Sequence, residues 1–309
     1  MITKRLAKPI MIGAAATAIV AGVGIYAYKE EHRPRILEIY VFALKTGRSV
    51  FIRTPEDKRI LIDGGGNSDI IRELTRILPF YSRRIDAIIA TNSDGKNASG
   101  LIDIAGRYAI DHAYTPAMTA ESLGLASSTD QIYSTLIETL KRLKIPIHEA
   151  RAGDLIAFDP SVSAKVIFPA PYDSFPYSKA SAPEILLQIT YRSSVITLLY
   201  DATKKVQAFQ ASQDISNSDV LYISQSAAPD SLSSDLMRKL NPEYLIYSKA
   251  VAKALAKPAK ASRAKISPKR KEGADPLASI LDDNRFNLKE SGNILITVAG
   301  NGLSIKKAP

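Results

Sequence analysis

The sequence predicts an α/β fold with its functional edge where strands end and polar loops begin. Three observations support this. Residues 59–100 read as strand, helix and parallel strand followed by a polar loop, the place where such folds put chemistry. Residues 9–28 are apolar and uncharged, about the length that crosses a bilayer. Residues 249–271 hold nine Lys and Arg residues and no acid, so they carry nearly all of the net charge of +10.

The first eight residues contain Lys4, Arg5 and Lys8 without an acid. Ahead of the apolar run at 9–28 they predict a signal anchor with its N-terminus in the cytoplasm and the main domain outside. The competing reading is a cleaved signal peptide and a secreted product. The main domain is expected over 35–309. Residues 37–44, 49–53 and 59–62 read as short strands, with turns at Thr46-Gly47 and Pro55-Glu56-Asp57. Ile70, Ile71, Leu74, Ile77 and Leu78 then follow at helical spacing until Pro79 stops the helix. Residues 85–90 form the next strand, 101–108 a helix and 112–115 a strand. Residues 128–143 predict a helix with Ile132, Leu136, Leu140 and Leu143 on its buried face. Strands are expected at 153–158, 163–168, 185–191, 194–200, 219–223 and 242–248, with a helix at 231–240. A Pro-, Ser- and Tyr-rich loop occupies 169–183, and a hairpin turning at Gly300-Asn301-Gly302 closes the chain. Residues 249–271 are Ala and Lys with Pro258 and Pro268. That composition buries too little apolar surface to order itself, which predicts a disordered basic insert.

Five stretches in this order resemble one family. They are Asp63-Gly64-Gly65-Gly66, Thr91-Asn92-Ser93-Asp94-Gly95-Lys96-Asn97, Tyr200-Asp201-Ala202, Ser224-Gln225-Ser226-Ala227-Ala228 and the final hairpin. Together they resemble the metallo-β-lactamase fold, specifically the C-terminal domain of ComEC-type DNA-uptake proteins, over 37–309 apart from the insert. The resemblance implies a four-layer αββα sandwich, with two antiparallel-rich sheets face to face and helices outside. In the family the loop after the second strand reads T-H-x-D-x-D-H, the hairpin ends in G-D-A with a bridging Asp, and P-H-H-G-S follows. Here the His positions are Asn92, Asn97, Gln225 and Ser226, the second loop Asp is Lys96, and Asp275-Pro276 stands for His-Pro. The opening turn, V-G-Q-G-D-A in the family, is Leu44-Lys45-Thr46-Gly47-Arg48-Ser49, so Arg48 replaces an acid. The resemblance thus implies a kept frame whose metal ligands are degenerate.

A two-metal hydrolase holds its ions with imidazoles and carboxylates. Asp94 and Asp201 keep ligand-type side chains, which leaves three readings: a residual metal pair, two carboxylates kept for local hydrogen bonds, or a cluster in which the Lys96 ammonium stands where a metal stood. Asp63 reads as a strand-end Asp bonded to amides of the glycine turn. The chain has three His, and His32, His112 and His148 all fall outside the ligand positions, as expected of surface or structural His. No metal or cofactor is expected. Without Cys there is no disulfide or thiolate site, and Ser224 and Ser226 have no His-Asp pairing of a serine hydrolase.

Composition and the family resemblance together leave three functions open. The first is a non-catalytic membrane-anchored protein binding DNA or another polyanion through Lys249, Lys253, Lys257, Lys260, Arg263, Lys265, Lys269, Arg270 and Lys271. The second is a metal-dependent hydrolase, nuclease-like, with atypical ligands. The third is a structural or assembly protein whose basic loop is a solvated spacer. A metal assay separates the second from the others, and the salt dependence of DNA binding separates the first from the third.

Overall fold

The computed structural model describes residues 35–117, 131–178, 183–200, 202–224, 233–248, 280–300 and 302–309. The chain divides at Arg35, and the unit that begins at Ile36 carries every element below. In order these are β1 (Leu37–Val41), β2 (Val50–Arg53), β3 (Arg59–Ile62), α1 (Asp69–Ile77), β4 (Arg84–Ile89), α2 (Gly95–Ala105), β5 (Ala109–Pro116) and α3 (Gln131–Arg142). β6 (Ile147–Ala150), β7 (Leu155–Ala157), β8 (Val162–Phe168), β9 (Leu186–Tyr191), β10 (Ser194–Leu198), α4 (Lys204–Ser212) and β11 (Val220–Ile223) follow. α5 (Ser234–Leu240), β12 (Tyr244–Tyr247), β13 (Arg285–Asn287), the short α6 (Leu288–Ser291), β14 (Ile294–Ala299) and β15 (Gly302–Lys307) complete the set.

The strands form an eight-stranded sheet, β15-β14-β1-β2-β3-β4-β5-β6, and a seven-stranded sheet, β13-β12-β11-β10-β9-β8-β7. Alternation along the strands builds the layers. Leu37, Ile39, Val41, Val50, Ile52, Ile60 and Ile62 face the other sheet and join Ile189, Ile196 and Leu198 in one core. Tyr40, Phe51, Leu61 and Ile88 point the other way and pack against Ile70 and Leu74 of α1, Leu101 and Ile104 of α2, and Leu136 and Leu140 of α3. Val206 of α4 and Leu236, Met237 and Leu240 of α5 belong to the core of the second sheet. Each such fully buried aliphatic side chain contributes about 1.5–3 kcal/mol of transfer free energy. The result is a mixed α/β sandwich in the order helix, sheet, sheet, helix, consistent with the metallo-β-lactamase fold.

Several details differ from the expectation. Each sheet is mixed, antiparallel through one part and parallel through β3-β4-β5-β6 and β10-β11-β12-β13. α3 buries Tyr133, Leu136, Thr139 and Leu140, while Ile132 and Leu143 stay largely exposed. Its apolar face is therefore turned from the one that spacing suggested. α4 was not expected, because the face it buries is Val206, Gln207 and Gln210. The two glutamines replace apolar periodicity with bonds to backbone: Gln207 Nε2 donates to the Ala202 carbonyl at 2.7 Å and Gln210 Nε2 to the Ile167 carbonyl at 2.8 Å.

The apolar run at 9–28 and the basic insert at 249–271 lie outside the described residues, and among the described residues no helix is long and apolar enough to cross a membrane. The insert lies between β12 and β13, which pair in parallel, Leu245 beside Arg285. A parallel neighbour requires a crossover of a dozen or more residues at this point.

Candidate functional site

β3 and β4 are parallel neighbours, and so are β10 and β11. The residues just beyond their carboxyl ends are Asp63, Thr91, Tyr200 and Ser224. Glu184 stands ahead of β9 and Arg48 ahead of β2, strands antiparallel to β10 and β3, so both arrive at the same edge.

Arg48 is held in place by backbone. The Gly65 amide donates to the Arg48 carbonyl at 3.0 Å, the Gly66 amide to the Thr46 carbonyl at 3.0 Å and the Gly64 amide to the Asn97 carbonyl at 2.7 Å. The approach is too close for side chains. A Cβ on Gly47 would stand 1.8 Å from the Lys96 carbonyl oxygen, and one on Gly100 would stand 1.9 Å from that of Gly64. The opening turn, the glycine turn and the start of α2 are thus joined into one seam, which aims the Arg48 side chain inward.

The guanidinium is almost fully enclosed, with side-chain exposures of 4% for Arg48 and 1% for Asp63. Its Nε donates to Asp63 Oδ2 at 2.8 Å, and its Nη2 donates to Glu184 Oε1 at 2.5 Å and Thr91 Oγ1 at 2.6 Å. Nη1 reaches Ser224 Oγ at 3.5 Å, and the guanidinium carbon lies 4.2 Å from the centre of the Tyr200 ring. Asp63 also accepts from the Thr91 amide at 2.9 Å and the Thr91 hydroxyl at 2.7 Å. Asp63 therefore bonds to Thr91 and Arg48, where the sequence suggested the glycine-turn amides. Burial pushes the Asp63 carboxyl above its ordinary range, while the charge of Arg48 and the Thr91 donors pull the other way. Burial, and next the Asp63 charge, push the Tyr200 hydroxyl well above its own range. That hydroxyl and Asn97 Oδ1 are buried without a hydrogen-bond partner among the described residues.

The expected site residues divide into three groups. Asn92 joins the cluster: its Nδ2 donates to Glu184 Oε1 at 3.0 Å, and its Oδ1 accepts from Asn97 Nδ2 at 3.2 Å. Asp94 caps α2 by accepting from the Lys96 amide at 3.0 Å, in the manner of an N-cap. Lys96 meets Asp94 at 2.8 Å, as one expectation had it, but both side chains stand in solvent at 43% and 40% exposure. Among the described residues of the site, the buried cation is Arg48. Asp201, Gln225, Ser226 and Asp275 lie outside the described residues, as do the nine cations of the insert. Sequence reasoning missed Arg48 as a site residue and missed Glu184 entirely.

The donor set does not fit a divalent metal ion among these residues. An ion there would compete with the guanidinium for Asp63 and Glu184 and would place its charge beside a side chain that stays cationic. Asn and Ser oxygens are weak replacements for imidazole on zinc or its neighbours.

No protein-family model and no curated protein sequence matches the chain. Solved structures do show likeness. A CmlA β-hydroxylase variant is 16% identical with a TM-score of 0.47, over 69% of this chain and 46% of that one. The metallo-β-lactamase fold protein YhfI from Bacillus subtilis is 13% identical with a TM-score of 0.43, over 69% and 85%. Zn(2+)-bound PqqB from Methylobacterium extorquens is 11% identical with a TM-score of 0.45, over 68% and 88%. The chain spans less than half the length of the hydroxylase.

Proposed function

We propose that this chain is a non-catalytic, membrane-anchored protein of the ComEC type that acts by binding, with its basic segment meeting a polyanion such as DNA. One observation carries the non-catalytic part: the Arg48 guanidinium sits between Asp63 and Glu184 where the loops of both sheets converge. An arginine does not give up its proton, so it offers no general base. It also keeps a fixed positive charge at these strand ends, which disfavours a divalent cation beside it. The cluster is then an internal brace, and function moves to a segment outside it.

The charge distribution supports the binding part. The nine cations of 249–271 leave the rest of the chain near neutral. The segment begins just after Ser248, whose amide donates to the Ile223 carbonyl at 3.2 Å, beside the same strand ends that carry Ser224. Lysine and arginine side chains bind phosphates without reading sequence and release counterions as they do so. The anchor at 9–28 would hold this domain outside the membrane, with Lys4, Arg5 and Lys8 inside.

The test uses the full chain without a purification tag, dialysed against chelator and examined by elemental analysis. No stoichiometric transition metal is expected. One or two equivalents per chain that disappear in Asp94→Ala or Asp201→Ala would overturn the reading and restore the hydrolase. For the binding part, single-stranded DNA should bind with a steep salt dependence that vanishes when all nine cations become Gln. Full binding by that variant would place the polyanion site elsewhere. Absence of binding by the parent would favour the structural or assembly reading.

A further inference from the structure

Two of the three His come together in the fold, far apart in sequence and away from the strand-end cluster. His112 lies on β5 and His148 on β6, neighbouring parallel strands. In register His112 stands beside Ala87 and Tyr114 beside Ile89. Ala87 and Ile89 belong to the core between the sheets, so His112 and Tyr114 lie on that inner face. His148 stands beside Tyr114 in register, on the edge strand of the eight-stranded sheet. At this edge both imidazoles are exposed, and His112 Nδ1 faces His148 Nε2 at 3.2 Å. The Tyr114 ring, itself packed against the core, lies 5.1 Å from the His148 ring at 31°, which restricts how that ring can turn.

We infer that His112 and His148 form a two-imidazole site for a late divalent transition-metal ion, with Ni2+ and Cu2+ the probes of choice. The geometry carries this. Two nitrogens bound cis to one ion at 2.0–2.1 Å stand about 2.9 Å apart in square-planar and about 3.3 Å apart in tetrahedral coordination, and the observed separation is 3.2 Å. An ion held by both nitrogens lies off the line between them, so each ring turns its lone pair toward the ion in place of the present contact. Imidazole suits copper, nickel and zinc, and affinity follows the order in which copper leads. Among the described residues no third His, Asp or Glu stands close enough to complete a three-ligand group. Water then fills the remaining positions, which makes the site exchangeable and open to small ligands. It is separate from the strand-end cluster and does not depend on that cluster's being non-catalytic.

The experiment follows the melting temperature and the copper electron paramagnetic resonance spectrum of tag-free full-length chain as Ni2+ or Cu2+ is added, with Mg2+ as the control ion. The parent and His32→Ala should both melt several degrees higher with Ni2+, since an ion that binds only the folded state stabilises it. Both should show two coordinated ring nitrogens with Cu2+. His112→Gln and His148→Gln should each weaken binding by about tenfold or more, because loss of even a supporting partner commonly costs that much. Both side chains are exposed, so the variants should melt like the parent without metal. No response in the parent, or an equal response in the two Gln variants, would overturn the proposal. Metal held after chelator dialysis and lost with Asp94 or Asp201 would concern the strand-end site and leave this one to be judged by the His variants.

Discussion

Arg48 and Lys96 stand on either side of one glycine seam and live in different media. Each pairs with a carboxylate at 2.8 Å. The Arg48 pair is enclosed and shares Thr91, Glu184 and the Tyr200 ring, whereas the Lys96–Asp94 contact joins residues two apart at a helix start with both side chains partly in solvent. The same bond length therefore carries two different energies. In the enclosed pair, losing one partner strands a charge that water cannot reach. In the open pair, water replaces whichever partner leaves. Arginine suits the first place because its planar fork addresses several acceptors at once, while lysine offers a point charge.

The largest expected effect breaks the enclosed side of this comparison. Arg48→Met should destabilise the fold by about 3–5 kcal/mol, since it removes the guanidinium from two buried carboxylates, Asp63 and Glu184. The midpoint of urea unfolding at neutral pH reads this directly, and a change comparable to that of a surface substitution would show the cluster to be solvated. Adding Asp63→Asn and Glu184→Gln to Arg48→Met should recover part of that loss, because the penalty belongs to the stranded charges. A triple variant weaker than the single by the sum of its parts would deny the coupling. Lys96→Ala should cost about 1 kcal/mol or less. A larger loss would mean that the Lys96–Asp94 pair is more enclosed than its exposure indicates.

The smallest effect concerns pH and sets two buried carboxylates against each other. Burial raises the Asp63 carboxyl, so the folded state holds its proton more readily than the unfolded chain. Its contribution to stability is full below the unfolded value of about 4 and is lost as pH rises through the folded value. Burial would raise Asp159 too, but donors from Thr54, Ser161 and Val162 outweigh it and hold that carboxyl below its ordinary range. Asp159 therefore contributes stability above about pH 4 that is lost as pH falls through its folded value. Asp159→Asn should flatten the acid limb of the unfolding curve below about pH 4. An acid limb identical to the parent's would exclude Asp159 as its source.

Much of the frame was legible in the chain. Apolar runs at 50–53, 59–62 and 85–89, and helical spacing from Ile70 to Leu74, needed no tertiary information because each element buries its own periodic face. The order of motifs pointed to the edge where the Arg48 cluster lies. Arg48 was visible only as an acid replaced by a base, since a charged residue in a turn between strands ordinarily points to water. Its burial depends on Glu184, which the chain places 136 residues away and which follows a proline-rich loop. The His112–His148 pair was illegible for a similar reason: only the parallel register of β5 and β6 brings the two rings together. α4 hid behind glutamines that bury amides where periodicity looks for methyl groups.

The glycine seam also fixes how this edge breathes. Loop amides usually exchange with solvent through local openings far cheaper than global unfolding. Here the amides of Gly64, Gly65, Gly66 and Gly100 all donate across the seam, to Asn97, Arg48, Thr46 and Gly65. At Gly64 and Gly100 the two backbones leave no room for a methyl group, and Leu44 and Thr46 close over Gly65 and Gly66. These four amides should therefore exchange with deuterium as one cooperative unit, at rates set by release of the whole edge, and the Asp-Gly-Gly turn has no freedom to serve as a hinge.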